Sequence, residues 1–344
     1  MSTLIEVPSP AIASQTISHS ATQPSFLSDL LELAKIRLTG MVVITTMVGF
    51  YLGGAGGEGW LKLLWVAVGT WMLAASAATL NQVFEISRDA LMPRTANRPL
   101  PAGRLLPSTA LIFAAGLAGI SLAILWLGTN ELTALLGLAN LIIYAFIYTP
   151  MKRFSTLNTL VGAVCGGIPP VMGYTAATGH LAPAAIALGV LLFVWQIPHF
   201  LALAWLYRDQ YELAGFKMLP VIDKTGRFTF RMIVLYSVLL IPAALAETVL
   251  GAAGIWYAIA AVILGAVMVF LATVLLREPS RTGARRVFLA SVIYLPLLLM
   301  ALAADTRPGA PATMFSDSLH LLGQSNAASS VLPGADVAAK KPVQ

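Results

Sequence analysis

Nine long apolar segments follow one another along the chain, and polar connections separate them. Each is close to the ~20 residues that cross the hydrocarbon core of a bilayer as a helix. A transmembrane barrel would need shorter segments of alternating polarity. The pattern therefore predicts an all-α fold, a polytopic membrane bundle of about nine transmembrane helices. The segments lie approximately at 38–56, 61–80, 106–128, 131–149, 157–177, 183–206, 230–251, 254–276 and 286–304.

The two ends of the chain differ from this bundle in composition. Residues 1–30 are rich in Ser, Thr, Ala and Pro and contain no Lys or Arg, and 306–344 have a similar character. The first stretch lacks the basic region of a secretory signal and the Arg of a mitochondrial transit peptide. We predict disordered tails over 1–30 and 306–344, and one nine-helix domain over 31–305. We expect the membrane to be a prokaryotic inner membrane.

Composition supports a lipid environment, since 58% of residues are hydrophobic and 10% are charged, against about 25% charged in soluble domains. The basic residues lie in connections between apolar segments, so the net charge of +6 does not indicate a nucleic-acid partner. Of 21 Lys and Arg, 17 fall on one side of the predicted topology, and the other four are Lys62, Arg307, Lys340 and Lys341. The positive-inside rule then predicts a cytoplasmic N-terminus and an outside C-terminus. The long polar connections lie on the cytoplasmic side, where we expect the active site.

The first acidic cluster follows the second apolar segment. Asn81, Glu85 and Asp89 are spaced by four residues, so on a helix they share one face. Carboxylates in such proximity repel each other unless a cation lies between them, and oxygen ligands suit Mg²⁺ shared with phosphates. Arg94 and Arg98 follow and have the fork geometry that binds phosphate oxygens.

A second acidic cluster follows the sixth segment. Asp209 and Glu212 are three residues apart on a predicted helix, with Lys217 shortly after them. Lys152 and Arg153 lie on the same membrane side, after the fourth segment. Mg²⁺-bridged diphosphate would use both kinds of charge, and the alternative is a set of interfacial salt bridges. We favour diphosphate because acidic residues at membrane depth are costly and usually functional.

Three stretches carry a resemblance to a known family. They are Asn81-x-x-x-Glu85-x-x-x-Asp89-x-x-Met92-x-Arg94-Thr95-x-x-Arg98-Pro99-Leu-Pro101, Tyr148-Thr149-Pro150-Met-Lys152-Arg153 with Asn158-Thr159, and Trp195-Gln196-Ile-Pro198-His199-Phe200 with Tyr207-Arg208-Asp209. The first resembles the aspartate-rich motif of the intramembrane aromatic prenyltransferases (the UbiA type). The second and third are similar to haem-farnesylating members of that family. The resemblance covers roughly residues 30–305, and Arg88 departs from it, standing where an apolar residue is usual.

The resemblance implies farnesyl diphosphate as donor, haem B as acceptor, Mg²⁺ as cofactor and haem O as product for terminal oxidases. It places the metal and the catalytic role on Asn81, Glu85, Asp89, Asp209 and Glu212. It places the diphosphate on Arg94, Arg98, Lys152, Arg153 and Lys217. Whether a haem A synthase partner receives the product directly is left open. Because neighbouring residues do not share a helix face, we expect Arg88 to point away from Asp89.

The haem site is less defined. His199 lies inside an apolar helix, and the alternatives are a hydrogen-bonded core histidine or a haem contact. Asn158 and Tyr148 are further candidates to line the haem pocket. Competing functions are a prenyltransferase with a quinone-precursor acceptor, a transporter, and a haem-delivery protein. Transport is disfavoured because the polar clusters lie at one face, and haem delivery leaves the acidic clusters unexplained.

Overall fold

The computed structural model describes residues 25–54 and 59–306, and within these ranges the chain is helical with no strand. Most of the predicted tails 1–30 and 306–344 lies outside the described residues, and helix α1 begins at Phe26, within the predicted N-terminal tail. The helices are α1 Phe26–Leu33, α2 Ile36–Leu52, α3 Gly59–Asp89, α4 Pro107–Gly128, α5 Glu131–Ile142, a π-helix Ile143–Tyr148, α6 Thr149–Met151, α7 Asn158–Thr178, α8 Pro183–Leu206, α9 Arg208–Leu213, α10 Leu219–Ile222, α11 Arg227–Val249, α12 Ile255–Arg277 and α13 Arg281–Asp305.

The predicted all-α membrane bundle is confirmed. In the described part of the chain, eight helices are long and apolar enough to cross a membrane, with α5, the π-helix and α6 forming one of them. Helices α1 and α2 meet the same criterion only when taken together and are bent by 46°, so the described residues hold eight candidate spans, or nine if this bent pair is one span. The bend falls at Lys35, which has a left-handed backbone conformation (φ 48°) and interrupts the helix. Large apolar side chains such as Ile112, Leu127 and Trp256 are exposed on the outside, where lipid would contact them.

Helix α7 lies at the centre of the first half of the bundle, packed between α2 and α8. Pro169 and Pro170 lie inside this helix without breaking it, and small residues allow close approach on both sides. A Cβ atom at Gly173 would overlap the backbone of Thr46 in α2, and one at Gly167 would lie 2.7 Å from the carbonyl oxygen of Gly189 in α8. The Gly and Pro residues of this segment therefore mark close helix packing.

Three long connections meet at one end of the bundle, which we call the polar face. They follow α3, α6 and α8 and comprise residues 90–106, 152–157 and 207–226. The backbone N–H of Lys217 donates to the carbonyl oxygen of Lys152 at 2.8 Å, and Arg88 donates to the carbonyl oxygen of Ala214. Arg153 donates to the carbonyl oxygen of Phe84. These bonds join the second and third connections to each other and to the end of α3.

The start of α11 is capped from the polar face by Asp223, whose Oδ2 accepts hydrogen bonds from Thr229 N at 2.7 Å and Thr229 Oγ1 at 2.9 Å. Burial opposes the charge of Asp223, but these bonds and one from Thr225 outweigh it and hold the carboxyl pKa below its ordinary 3.8. A lowered pKa stabilises the fold above the ordinary pKa, and that contribution is lost as pH falls through the folded pKa.

We expect Asp223→Ala to lower the free energy of unfolding by about 1 kcal/mol at pH 7. The difference from the parent should shrink once the pH falls below about 4. Thermal unfolding in detergent across a pH series measures both effects. Thr225→Ala, which removes the bond to Asp223 Oδ1 and the long bond from Arg227 N to Thr225 Oγ1 at 3.4 Å, is the control with the smaller loss. A loss of equal size at low pH would mean that Asp223 acts through packing instead of charge.

Candidate functional site

A cavity of about 450 Å³, which we call the central cavity, opens below the polar face between α2, α3, the π-helix, α7 and α8. Its upper wall is charged and its lower wall is apolar. The charged and amide side chains that line the upper part are Lys35, Asn81, Glu85, Asp89, Arg94, Arg98 and Lys152. Among the apolar lining residues are Leu38, Val42, Leu73, Ala74, Ala77, Ala78, Leu141 and Met172.

The spacing by four residues on α3 places Asn81, Glu85 and Asp89 on one face, as the sequence predicted. Helix α3 continues to Asp89, so all three project from a regular helix into the central cavity. Their exposed fractions are 3%, 4% and 1%. Two carboxylates are therefore buried side by side, which requires compensating positive charge.

A basic side chain contacts each of the three α3 residues. Arg98 Nη1 lies 2.7 Å from Asp89 Oδ2, Lys152 Nζ lies 3.0 Å from Glu85 Oε1, and Lys35 Nζ donates to Asn81 Oδ1 at 3.3 Å. Arg98 and Lys152, which we predicted for diphosphate, thus lie next to carboxylates that we predicted for metal. A ligand that carries both a metal ion and phosphate could replace these ion pairs. The carboxylates would then contact the metal, and the bases would contact the phosphate oxygens.

Each base reaches its partner because of its place in the backbone. Arg98 lies in the connection after α3, where Thr95 Oγ1 donates to the carbonyl oxygen of Asp89 at 2.7 Å and folds the chain back. Arg94 from the same connection lies over the ring of Tyr207, 5.0 Å from its centroid, and also lines the central cavity. Lys35 lies at the bend between α1 and α2, which directs it inward.

Lys152 follows the π-helix, whose wider turn places Tyr144 and Tyr148 on the cavity wall. The Lys152 ammonium lies 4.6 Å from the ring centroid of Tyr148. Burial opposes its charge, but Tyr148 and the Glu85 carboxylate outweigh burial and hold the Lys152 pKa above its ordinary value. The pairing with Glu85 therefore favours the charged form of Lys152 inside the cavity.

The structure does not bring the second acidic cluster to the first. Asp209 and Glu212 have side chains that are 74% and 56% exposed, and each pairs with a neighbouring base, Arg208 at 3.5 Å and Lys224 respectively. The short helix α9 directs Tyr211 toward the cavity, and its acidic positions face outward. Lys217 is exposed as well. A metal role for this cluster stays a prediction.

Arg153 and Asn158 support the polar face instead of lining the cavity. Arg153 donates to the carbonyl oxygen of Phe84 in α3. Asn158 is buried, and its Nδ2 donates to the carbonyl oxygens of Ser155 at 2.6 Å and Lys217 at 3.2 Å. Both side chains are therefore used in holding connections together, and their predicted contacts with diphosphate and haem would require them to rearrange.

His199 faces helix α13, away from the central cavity. Its Nδ1 lies 2.8 Å from Ser291 Oγ, and its ring packs between Trp195 and Phe288, with centroid distances of 5.0 Å and 4.9 Å. Gln196 and Phe200, four residues apart on the same helix, line the cavity. This geometry matches the hydrogen-bonded core histidine of the two alternatives, while a haem contact stays a prediction.

Sequence reasoning missed Lys35 as a site residue, because it was counted only among the topology charges. Its position directly before an apolar segment gave no indication of an inward direction.

Arg88 behaves as its spacing predicted. It turns away from Asp89, donates to Ala214 and lies 5.5 Å from the ring centroid of Phe216.

The α3 residues fit a divalent cation that is shared with a ligand. In the described part of the chain, no three His, Cys, Asp or Glu side chains are grouped closely enough to hold a metal by themselves. Glu85 and Asp89 supply two carboxylates, Asn81 supplies an amide oxygen, and the buried Glu85 Oε1 has no partner of hydrogen-bond geometry. Two carboxylates completed by waters and substrate phosphates are a usual arrangement for Mg²⁺.

The sequence is similar to several proteins of known class. A protein of Solibacter usitatus named protoheme IX farnesyltransferase is 40% identical, over 82% of this chain and 100% of the relative. One of the same name from Myxococcus xanthus is 41% identical, over 85% of this chain and 99% of the relative.

Solved structures share the fold. A structure of digeranylgeranylglyceryl phosphate synthase has a TM-score of 0.70 at 20% identity, covering 81% of this chain and 98% of that one. A UbiA homologue from Archaeoglobus fulgidus, bound to GPP and Mg²⁺, has a TM-score of 0.58 at 16% identity, covering 80% and 100%. The sequence pattern of the UbiA prenyltransferase family matches residues 42–301 of this chain. The chain belongs to the UbiA prenyltransferase family.

Proposed function

We propose that this protein transfers a farnesyl group from farnesyl diphosphate to a vinyl group of haem B, giving haem O and diphosphate. The observation that carries the proposal is one cavity that joins a buried cluster of acids and bases to a long apolar wall. An allylic diphosphate has the same two parts, a charged head and a hydrocarbon chain. The acceptor is assigned from relatives about 40% identical that carry the name protoheme IX farnesyltransferase.

The bases of the upper cavity would bind the diphosphate. Arg94, Arg98, Lys152 and the newly identified Lys35 all line it, and they would hold phosphate oxygens as the allylic C–O bond breaks. The bond electrons leave with the diphosphate, where these fixed cations stabilise the growing charge. Lys35, Arg98 and Lys152 are half-buried, so their charges act at a lower dielectric than surface charges do.

Mg²⁺ is proposed as the cofactor, held by Glu85 and Asp89 with help from Asn81. When bound, it would neutralise charge on the diphosphate and so make it a better leaving group. On binding, Arg98 and Lys152 would turn from the carboxylates to the phosphate oxygens. We propose that Asp209 and Glu212 also bind metal. This requires α9 to move toward the cavity.

The acceptor vinyl group would attack the farnesyl carbon that loses diphosphate, forming a C–C bond. Water then adds at the adjacent vinyl carbon and loses a proton, which gives the hydroxyl of haem O. The aromatic wall of Tyr144 and Tyr148 borders the reaction region. We propose that His199, together with Trp195 and Phe288, contacts haem on the side of α8 that faces away from the central cavity.

The polar face is proposed to lie on the cytoplasmic side of a prokaryotic inner membrane. This side holds 17 of the 21 Lys and Arg residues in the predicted topology. The N-terminus would then be cytoplasmic and the C-terminus outside. The donor and haem B would both reach the cavity from the membrane or the cytoplasm.

The test is an assay of the purified full chain in detergent with haem B, farnesyl diphosphate and Mg²⁺, read by mass spectrometry. We expect a haem species that is heavier by one farnesyl group and one hydroxyl group, and its loss on adding EDTA. Prenylation of an aromatic quinone precursor instead of haem would overturn the acceptor and keep the reaction class. No diphosphate release with any acceptor would overturn the enzyme and favour transport or haem delivery.

A further inference from the structure

The wall of the central cavity contains two polar atoms that have no partner. Thr70 Oγ1 on α3 and Asn140 Oδ1 on α5 are buried, and neither has a hydrogen-bond partner among the described residues. Both residues line the cavity, and Thr70 is only 3% exposed. Buried polar atoms are nearly always paired, so unpaired polar atoms on a cavity wall indicate a ligand that pairs them.

The surroundings of this pair are apolar. Leu73, Leu141 and Met172 line the same part of the cavity and offer no hydrogen bond through their side chains. A hydrocarbon chain cannot satisfy a hydroxyl or an amide oxygen either. Ordered water can, because buried water is found where otherwise unsatisfied polar groups face a cavity.

We propose that Thr70 and Asn140 bind water at the bottom of the central cavity, and that this hydrated floor sets the length of prenyl chain the protein accepts. The proposal rests on the proposed function for the donor and deepens it by naming the residues that select its length. Neither residue belongs to the acidic or basic groups of the upper cavity.

The length of the cavity supports this assignment. Thr70 precedes Asn81 by eleven residues on α3, which corresponds to roughly 17 Å of helix. At roughly 5 Å per extended isoprene unit, from C–C bonds of about 1.5 Å, a farnesyl chain reaches about 15 Å and a geranylgeranyl chain about 20 Å. With the diphosphate beside Asn81, a farnesyl chain would end just above the floor. A fourth isoprene unit would reach it.

A chain that reaches the floor must displace the water. It would leave Thr70 Oγ1 and Asn140 Oδ1 buried without a partner, and that cost opposes the free energy gained from the added apolar contact. The floor would therefore disfavour longer chains through polarity, and not through a steric block. This difference determines the test.

The test is the double variant Thr70→Val/Asn140→Leu, which keeps the side-chain volumes nearly unchanged and removes the polar atoms. We expect the ratio of kcat/KM for farnesyl over geranylgeranyl diphosphate to fall about tenfold, equal to ~1.4 kcal/mol. Thr79→Val is the matched control, since Thr79 is buried on the same helix, bonds to Ala75 at 2.8 Å and does not line the cavity. Its ratio should equal that of the parent.

A second measurement separates this proposal from the proposed function. Binding of the unreactive thiolodiphosphate analogues of both donors is followed by thermal shift on the full chain, and the same change in preference is expected. An unchanged preference in a folded double variant overturns the floor. If the preference changes but no haem product forms, the floor stands and the haem acceptor fails. If the double variant does not fold, Thr70→Val alone gives the same comparison.

Discussion

Asp89→Asn is expected to lower kcat/KM for farnesyl transfer by roughly 100-fold or more, the range found when one group that stabilises a transition-state charge is removed. Asp89 is 1% exposed, lies in the upper cavity and pairs with Arg98 at 2.7 Å. The amide keeps the shape of the carboxylate but loses the charge that a divalent cation requires. The measurement is steady-state turnover at a series of Mg²⁺ concentrations, and the Mg²⁺ requirement should rise as activity falls.

Asp209→Asn is the matched comparison, because the structure places that carboxylate on the exposed side of α9. If α9 moves in to complete a second metal site, this variant should lose activity to a similar extent. If the α3 face binds the metal alone, activity should stay within about twofold of the parent, as for a typical surface change. The pair of variants thus decides between one acidic cluster and two. Equal activity of Asp89→Asn and the parent would overturn the α3 site.

Those parts of the fold that depend on periodicity and length could be predicted from the sequence. Nine apolar segments of the correct length predict nine spans, and a spacing of four predicts that Asn81, Glu85 and Asp89 share a face. Both outcomes depend only on the geometry of a single helix. The helices that this face meets, α7 and α8, are set by tertiary packing. Because two carboxylates are costly to bury without compensating charge, the face must turn toward the bases of the bundle.

The second acidic cluster shows where this reasoning fails. A helix of six residues after a membrane span has no strong apolar stripe, so its sequence does not reveal which side is buried. Tyr211 takes the inward position, and Asp209 and Glu212 remain in water with Arg208 and Lys224 beside them. A residue's place in a connection beside the site predicts that it lies near the site. It does not predict that its side chain lines the cavity.

The direction of His199 could not be read from helical spacing. Gln196, Phe200 and Leu203 are spaced by four and three residues, which is the pattern of one helix face, and all three line the central cavity. His199 lies about 100° from Phe200 but only about 60° from Gln196 and about 40° from Leu203, so its spacing places it at the edge of that face. Its contact with Ser291 on α13 depends on tertiary packing. Lys35 offered no pattern either, because its direction comes from a break between two helices.

The neighbouring residues Lys152 and Arg153 provide the last prediction, because the sequence assigned both to diphosphate and the structure gives them different contacts. Lys152→Met should lower kcat/KM by roughly 100-fold, since it removes a buried cation from the cavity and leaves Glu85 without its partner. Steady-state kinetics with farnesyl diphosphate measures the loss. Arg153→Met removes a bond to the Phe84 carbonyl outside the cavity, so we expect a lower unfolding temperature with kcat/KM changed by only a few-fold. Lys152→Arg should recover part of the activity, because it restores the charge with a different shape. Equal losses in the two methionine variants at matched folding would mean that Arg153 also turns inward to bind the diphosphate.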